Sequence, residues 1–68
     1  MPDVTRAQMA VILREVAPRA NGYLRGVWLD IADKIERGVG VSRALTNKAG
    51  PLGEVIRGVL DREPGEEG

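Results

Sequence analysis

Residues Leu24–Leu45, LRGVWLDIADKIERGVGVSRAL, decide how this chain folds. Leu24, Val27, Trp28, Ile31 and Ile35 recur at three- and four-residue intervals, which places them on one face of a helix. Arg25, Asp30, Asp33, Lys34, Glu36 and Arg37 occupy the other face. The pairs Asp30/Lys34 and Asp33/Arg37 set an acid four residues before a base, the favourable order along a helix, each worth about 0.2–0.5 kcal/mol. Gly38 is the natural stop, because glycine adopts the left-handed backbone of a helix C-cap without a Cβ clash. Val39-Gly40-Val41 is then a turn, and Ser42 caps a short helix from Arg43 to about Lys48 that directs Ala44 and Leu45 inward.

Working outward toward the N-terminus, Asn21-Gly22 is a turn signal and Asn21 caps the central helix. Thr5 and Gln8 have the spacing of a capping box, with Val4 and Met9 placed as a hydrophobic staple. The helix they open spans about residues 5–17, with Met9, Ile12, Leu13 and Val16 as its apolar face, and Pro18 prevents smooth continuation. Toward the C-terminus, Gly50-Pro51 ends the short helix and begins a fourth, whose stripe is Leu52, Val55, Ile56, Val59 and Leu60. Gly53 and Gly58 fall inside that helix at a cost of about 1 kcal/mol each relative to alanine. Either a neighbouring helix needs the room or the helix frays there. Glu63 to Gly68 has nothing apolar to bury and reads as a disordered acidic tail. The expected architecture is a single all-α domain over residues 1–62, a small bundle of three to four short helices, followed by the tail over 63–68.

Sixty-eight residues without Cys or Phe, and with one Trp and one Tyr, give a thin core of Val, Ile, Leu, Met and Ala. Such a core rarely supplies more than about 3–5 kcal/mol, so self-association, most simply homodimerisation, is an expected supplement. Ten basic and ten acidic side chains cancel, which argues against binding nucleic acid or membrane by bulk charge. The balance is local: Arg6–Lys48 holds eight Lys or Arg against four Asp or Glu, and Ala49–Gly68 holds two against five. No apolar run approaches the roughly 20 residues of a membrane span, and the N-terminus lacks a signal-peptide pattern. A cytoplasmic address is the default expectation.

With no histidine, no cysteine, one serine and one tyrosine, the usual nucleophile and base pairs cannot be assembled, so no enzymatic activity is expected. Asp30, Asp33 and Glu36 fit a solvated helix face, Glu66 and Glu67 at most a loose surface cation site, and Gly38-Val39-Gly40 follows a helix where a phosphate loop would follow a strand. No cofactor or metal is expected. Two sets of residues carry functional expectations. Trp28 reads as core and, if partly exposed, as an interface anchor, with Leu29 on the flank of the same stripe. Ser42, Arg43, Thr46, Asn47 and Lys48 lie on or beside the short helix after a glycine-containing turn. They are residue types that contact base edges and phosphates. The bland reading of this second set is a solvated helix face.

The runs Ile31-Ala32-Asp33-Lys34-Ile35-Glu36-Arg37-Gly38, Val41-Ser42-Arg43-Ala44-Leu45, Gly50-Pro51-Leu52 and Gly65-Glu66-Glu67-Gly68 resemble the cytoplasmic helical domain of the inner-membrane platform proteins of type II secretion and type IV pilus machines. The resemblance covers about half of the chain and lies in helix punctuation. The chain departs from the family in lacking transmembrane helices and the larger six-helix domain, and in reducing the aromatic and proline residues usual after the short helix to a lone Pro51. The resemblance implies a helical hairpin that holds partner proteins, with no chemistry of its own, and it transfers no functional residue. The function expected from the sequence is a non-catalytic protein-interaction or assembly module acting through Trp28 and Leu29. The alternative is a small helix-turn-helix-like DNA-binding regulator using Ser42 to Lys48.

Overall fold

The computed structural model describes residues 4–62, so the acidic segment 63–68 lies outside the described residues. Four α-helices follow one another: α1 (Arg6–Val16), α2 (Gly22–Arg37), α3 (Arg43–Asn47) and α4 (Gly53–Arg62). Single 3-10 turns at Ala17–Arg19 and Gly50–Leu52 join the first to the second and the third to the fourth. Among the described residues there is no strand, and no helix is long and apolar enough to cross a membrane.

Local chemistry sets the helix ends. Thr5 Oγ1 accepts the Gln8 backbone N–H at 3.1 Å while the Thr5 N–H donates to Gln8 Oε1 at 2.9 Å, a complete capping box. Asn21 Oδ1 accepts from the Leu24 N–H, and Ser42 Oγ from the Leu45 N–H. Gly38 closes α2 at φ 76°, in the left-handed region. Gly50 is the second such residue, at φ 65°. This turn separates α3 from α4 and delays the start of α4 to Gly53, three residues later than the Gly50-Pro51 start expected from the sequence.

The core joins Met9, Leu13, Trp28, Ile31, Ile56, Val59 and Leu60 with the alanines Ala10, Ala17, Ala32 and Ala49. Val4, opposite Met9 in the expected staple, is half-buried against it. Helix α1 lies chiefly along α2, α3 chiefly against α4, and α4 also meets α1. Arg6 ties the last pair by donating from Nη2 to the Leu60 carbonyl at 3.3 Å, a cation at a helix C-terminal end. Leu13, Ile31 and Ile56 are wholly enclosed, each contributing about 1.5–3 kcal/mol of transfer free energy.

Three side chains lie elsewhere than their periodicity predicts. Helix α1 is rotated so that Ala10 faces inward, with Ala17 of the following 3-10 turn, and Ile12 is 38% exposed, because the small alanines let α1 settle close to α2. In α3, Ala44 is exposed, Leu45 half-buried and Thr46 buried, the reverse of an inward Ala44. In α4, Val55 is 52% exposed while Ile56, Val59 and Leu60 fill the core. Gly53 explains the orientation of the α3–α4 pair. A Cβ built on it would lie 2.5 Å from the Thr46 carbonyl oxygen, so the backbones of the two helices touch where the side chain is missing. Nothing lies within 4 Å of a Cβ at Gly58, which faces solvent.

Candidate functional site

Trp28 is anchored inside the molecule. It is 8% exposed, and its indole N–H donates to the Ala49 carbonyl at 2.8 Å, clamping the end of α3 onto α2. The condition for an interface role, partial exposure, is therefore not met. Leu29 is half-buried and packs at the edge of the core.

The five polar residues around α3 do not form one face. Thr46 is buried, with its hydroxyl donating to the Arg43 carbonyl at 2.9 Å, and it lines the base of the α3–α4 cleft beside Arg43 and Asn47. The reason is the Gly53 approach, which brings α4 over that side of α3. Ser42 spends its hydroxyl on the α3 cap. Arg43 and Asn47 border a cleft of 360 Å³ between α3 and α4, whereas Lys48 belongs to a different groove on the other side of α3. Helix α3 itself has only five residues, about 7.5 Å of rise, little to lay in a major groove.

Charges in the α3–α4 cleft are balanced. Arg57 donates from Nη1 to the Val41 carbonyl at 3.0 Å and from Nε to Asp61 Oδ1 at 3.2 Å, which fixes the turn before α3 onto α4. Asp61 also stands 3.6 Å from Arg43, and Glu54 lines the same cleft. Both guanidinium groups reach the one Asp61 carboxylate, and Glu54 adds a second acid to the lining. Among the described residues, no group of three or more His, Cys, Asp or Glu is placed to hold a metal ion.

A second surface lies along α1 and the end of α2, where Ala7, Ala10, Val11 and Ile35 form an apolar groove bordered by Arg6 and Glu36. Glu36 is committed to Arg14: Arg14 Nε and Nη2 each donate to one Glu36 oxygen at 2.7 Å. Those hydrogen bonds, against a smaller opposing desolvation and with the help of the Arg14 charge, hold the Glu36 carboxyl below its ordinary range. They raise the Arg14 guanidinium correspondingly. The two i,i+4 pairs expected on α2 are present, Lys34–Asp30 and Arg37–Asp33, each at 3.2 Å.

The third surface is an open groove of 550 Å³ between the first half of α2 and α3. Gly22 and Gly26, one turn apart, form its floor, and nothing lies within 4 Å of a Cβ on either. Tyr23, Val27 and Leu45 supply apolar walls, with Lys48 and Asp30 at the rim. Tyr23 is 63% exposed, the most exposed large hydrophobic residue of the described chain. Periodicity alone passes over this face, because Tyr23 precedes the Leu24–Ile35 stripe. The signal available was the Gly22-x-x-x-Gly26 spacing beside an aromatic residue outside that stripe.

These features define a small all-α domain with an open groove between α2 and α3. Compared with known proteins, the chain matches no family model, no curated protein and no solved structure.

Proposed function

We propose that this chain is a non-catalytic protein-interaction or assembly module whose docking face is the groove between α2 and α3. The observation that carries the reading is Tyr23, an aromatic side chain left 63% exposed beside a floor of bare helix backbone. Tyrosine presents a large, stiff, amphipathic surface and is enriched among residues that dominate binding energy. Leu29, the flank residue singled out by the stripe, offers less open surface, and Trp28 serves the core. A module that holds partner proteins also accords with the resemblance of Ile31 onward to secretion and pilus platform proteins. The DNA-binding reading has weaker support, since Thr46 faces inward and Arg43 stands beside Asp61.

A photo-crosslinking side chain placed at Tyr23, with the same probe at Val39 in the α2–α3 turn as control, tests the assignment in the cells that make the protein. The expected result is a discrete adduct from position 23 that Gly26→Leu abolishes by filling the groove. No adduct above the Val39 control would overturn it.

A further inference from the structure

We infer that the occupant of the α2–α3 groove is a second copy of this chain, docked about a two-fold axis so that Lys48 of each copy meets Asp30 of the other. The inference rests on the docking-face reading above and adds the identity of the partner. A two-fold interface must be complementary to itself, because each patch meets its own duplicate. This groove meets that requirement in its charges. It carries one cation and one carboxylate, Lys48 and Asp30, which are not paired with each other. Asp30 bonds Lys34 of its own helix through one oxygen, Oδ1, leaving the other oxygen to a second donor. Lys48 has no ion-pair partner among the described residues, although the other acids of α2 are matched, Asp33 by Arg37 and Glu36 by Arg14. Rotating a second copy by half a turn presents an Asp30 to each Lys48 and forms the pair twice.

The apolar part of the groove fits the same partner. Gly22 and Gly26 leave the α2 backbone bare, so a second α2 can approach it closely, with Val27 near the axis and the two Tyr23 rings covering the glycine floors. A docked copy would cover the largest exposed aromatic surface of the molecule. It would also add apolar burial to a chain whose own core is limited by its 68 residues.

A charge exchange provides the test, because Asp30 and Lys48 are both exposed and can be reversed without entering the core. Sedimentation velocity of the wild type from micromolar to millimolar concentration is expected to show a reversible monomer–dimer equilibrium. Lys48→Glu places Glu against Asp30 twice, and Asp30→Lys places Lys against Lys48 twice. Each variant alone is expected to dimerise about tenfold more weakly or worse. An equimolar mixture of the two restores opposite charges at both contacts, and is expected to recover a one-to-one heterodimer of near wild-type affinity. Far-UV circular dichroism of each variant establishes that the helices are intact. A wild type that stays monomeric to millimolar concentration overturns the inference, as does a mixture no tighter than the single variants. In either case a position-23 adduct to a different protein would leave the docking face standing and remove only the second copy as its occupant.

Discussion

At Gly53 a methyl group in place of the hydrogen would stand 2.5 Å from the Thr46 carbonyl oxygen. That oxygen is backbone and cannot swing aside, so Gly53→Ala must push α4 away from α3. At Gly58 the same methyl group meets nothing within 4 Å, and alanine brings only its better helix propensity. The two substitutions, chemically identical and in one helix, are therefore expected to differ in sign. Gly53→Ala should destabilise by about 1–3 kcal/mol through overpacking, and Gly58→Ala should stabilise by about 0.5–1 kcal/mol. Urea unfolding followed by the fluorescence of Trp28 measures both, and equal effects would contradict the close approach at Gly53. Read from the sequence, the two glycines were equivalent, since what distinguishes them is a neighbour seven residues away in the chain at Thr46. The same contact turns Thr46 inward, which its polar character gave no reason to expect.

Among the elements, the caps were legible because they are local. Thr5 with Gln8, Asn21 with the Leu24 N–H, and Ser42 with the Leu45 N–H each act over three residues, and Gly38 needs only its own backbone freedom. The rotation of α1 was not legible, because Met9, Ile12, Leu13 and Val16 define a face only until a neighbour selects among similar ones. Alanines at 10 and 17 allowed α2 to settle there, leaving Ile12 at the edge. The Arg14–Glu36 pair was equally hidden, because it joins α1 to α2 across 22 positions. Its consequence is a pH dependence. The Glu36 carboxyl is held below its ordinary range in the folded protein, so its contribution to stability is fully present above the pKa of an unfolded glutamate, about 4.3, and is lost as pH falls through the lower folded value. Glu36→Gln is accordingly expected to lower thermal stability slightly at neutral pH and to flatten its decline on acidification. Melting temperatures measured from neutral to strongly acidic pH check this, and parallel wild-type and variant profiles would contradict it.

For the whole molecule, the helical class and the order of the four helices followed from apolar spacing and punctuation, while the open groove between α2 and α3 did not. The sequence points to Trp28 and Leu29 on the central apolar stripe as interface candidates; Trp28 is buried in the core and Leu29 is half-buried at its edge. Trp28 is further held there by its bond to Ala49. On α2 the large apolar side chain that stays exposed is Tyr23, beside Gly22 and Gly26, which leave room. The five polar residues after Val41 likewise form one set in one dimension, whereas in three dimensions Arg43, Thr46 and Asn47 line the α3–α4 cleft, Lys48 borders the α2–α3 groove and Ser42 caps α3. Self-docking through the groove of α2 and α3 is to be distinguished from docking through the α1 face near Val11 or the α4 face near Val55. A dilution series of backbone amide NMR spectra tests it most directly. Self-docking predicts concentration-dependent shifts concentrated at Gly22, Tyr23, Gly26, Val27, Asp30, Leu45 and Lys48, with the core amides unmoved. Spectra independent of concentration, or shifts centred on Val11 or Val55, would contradict it.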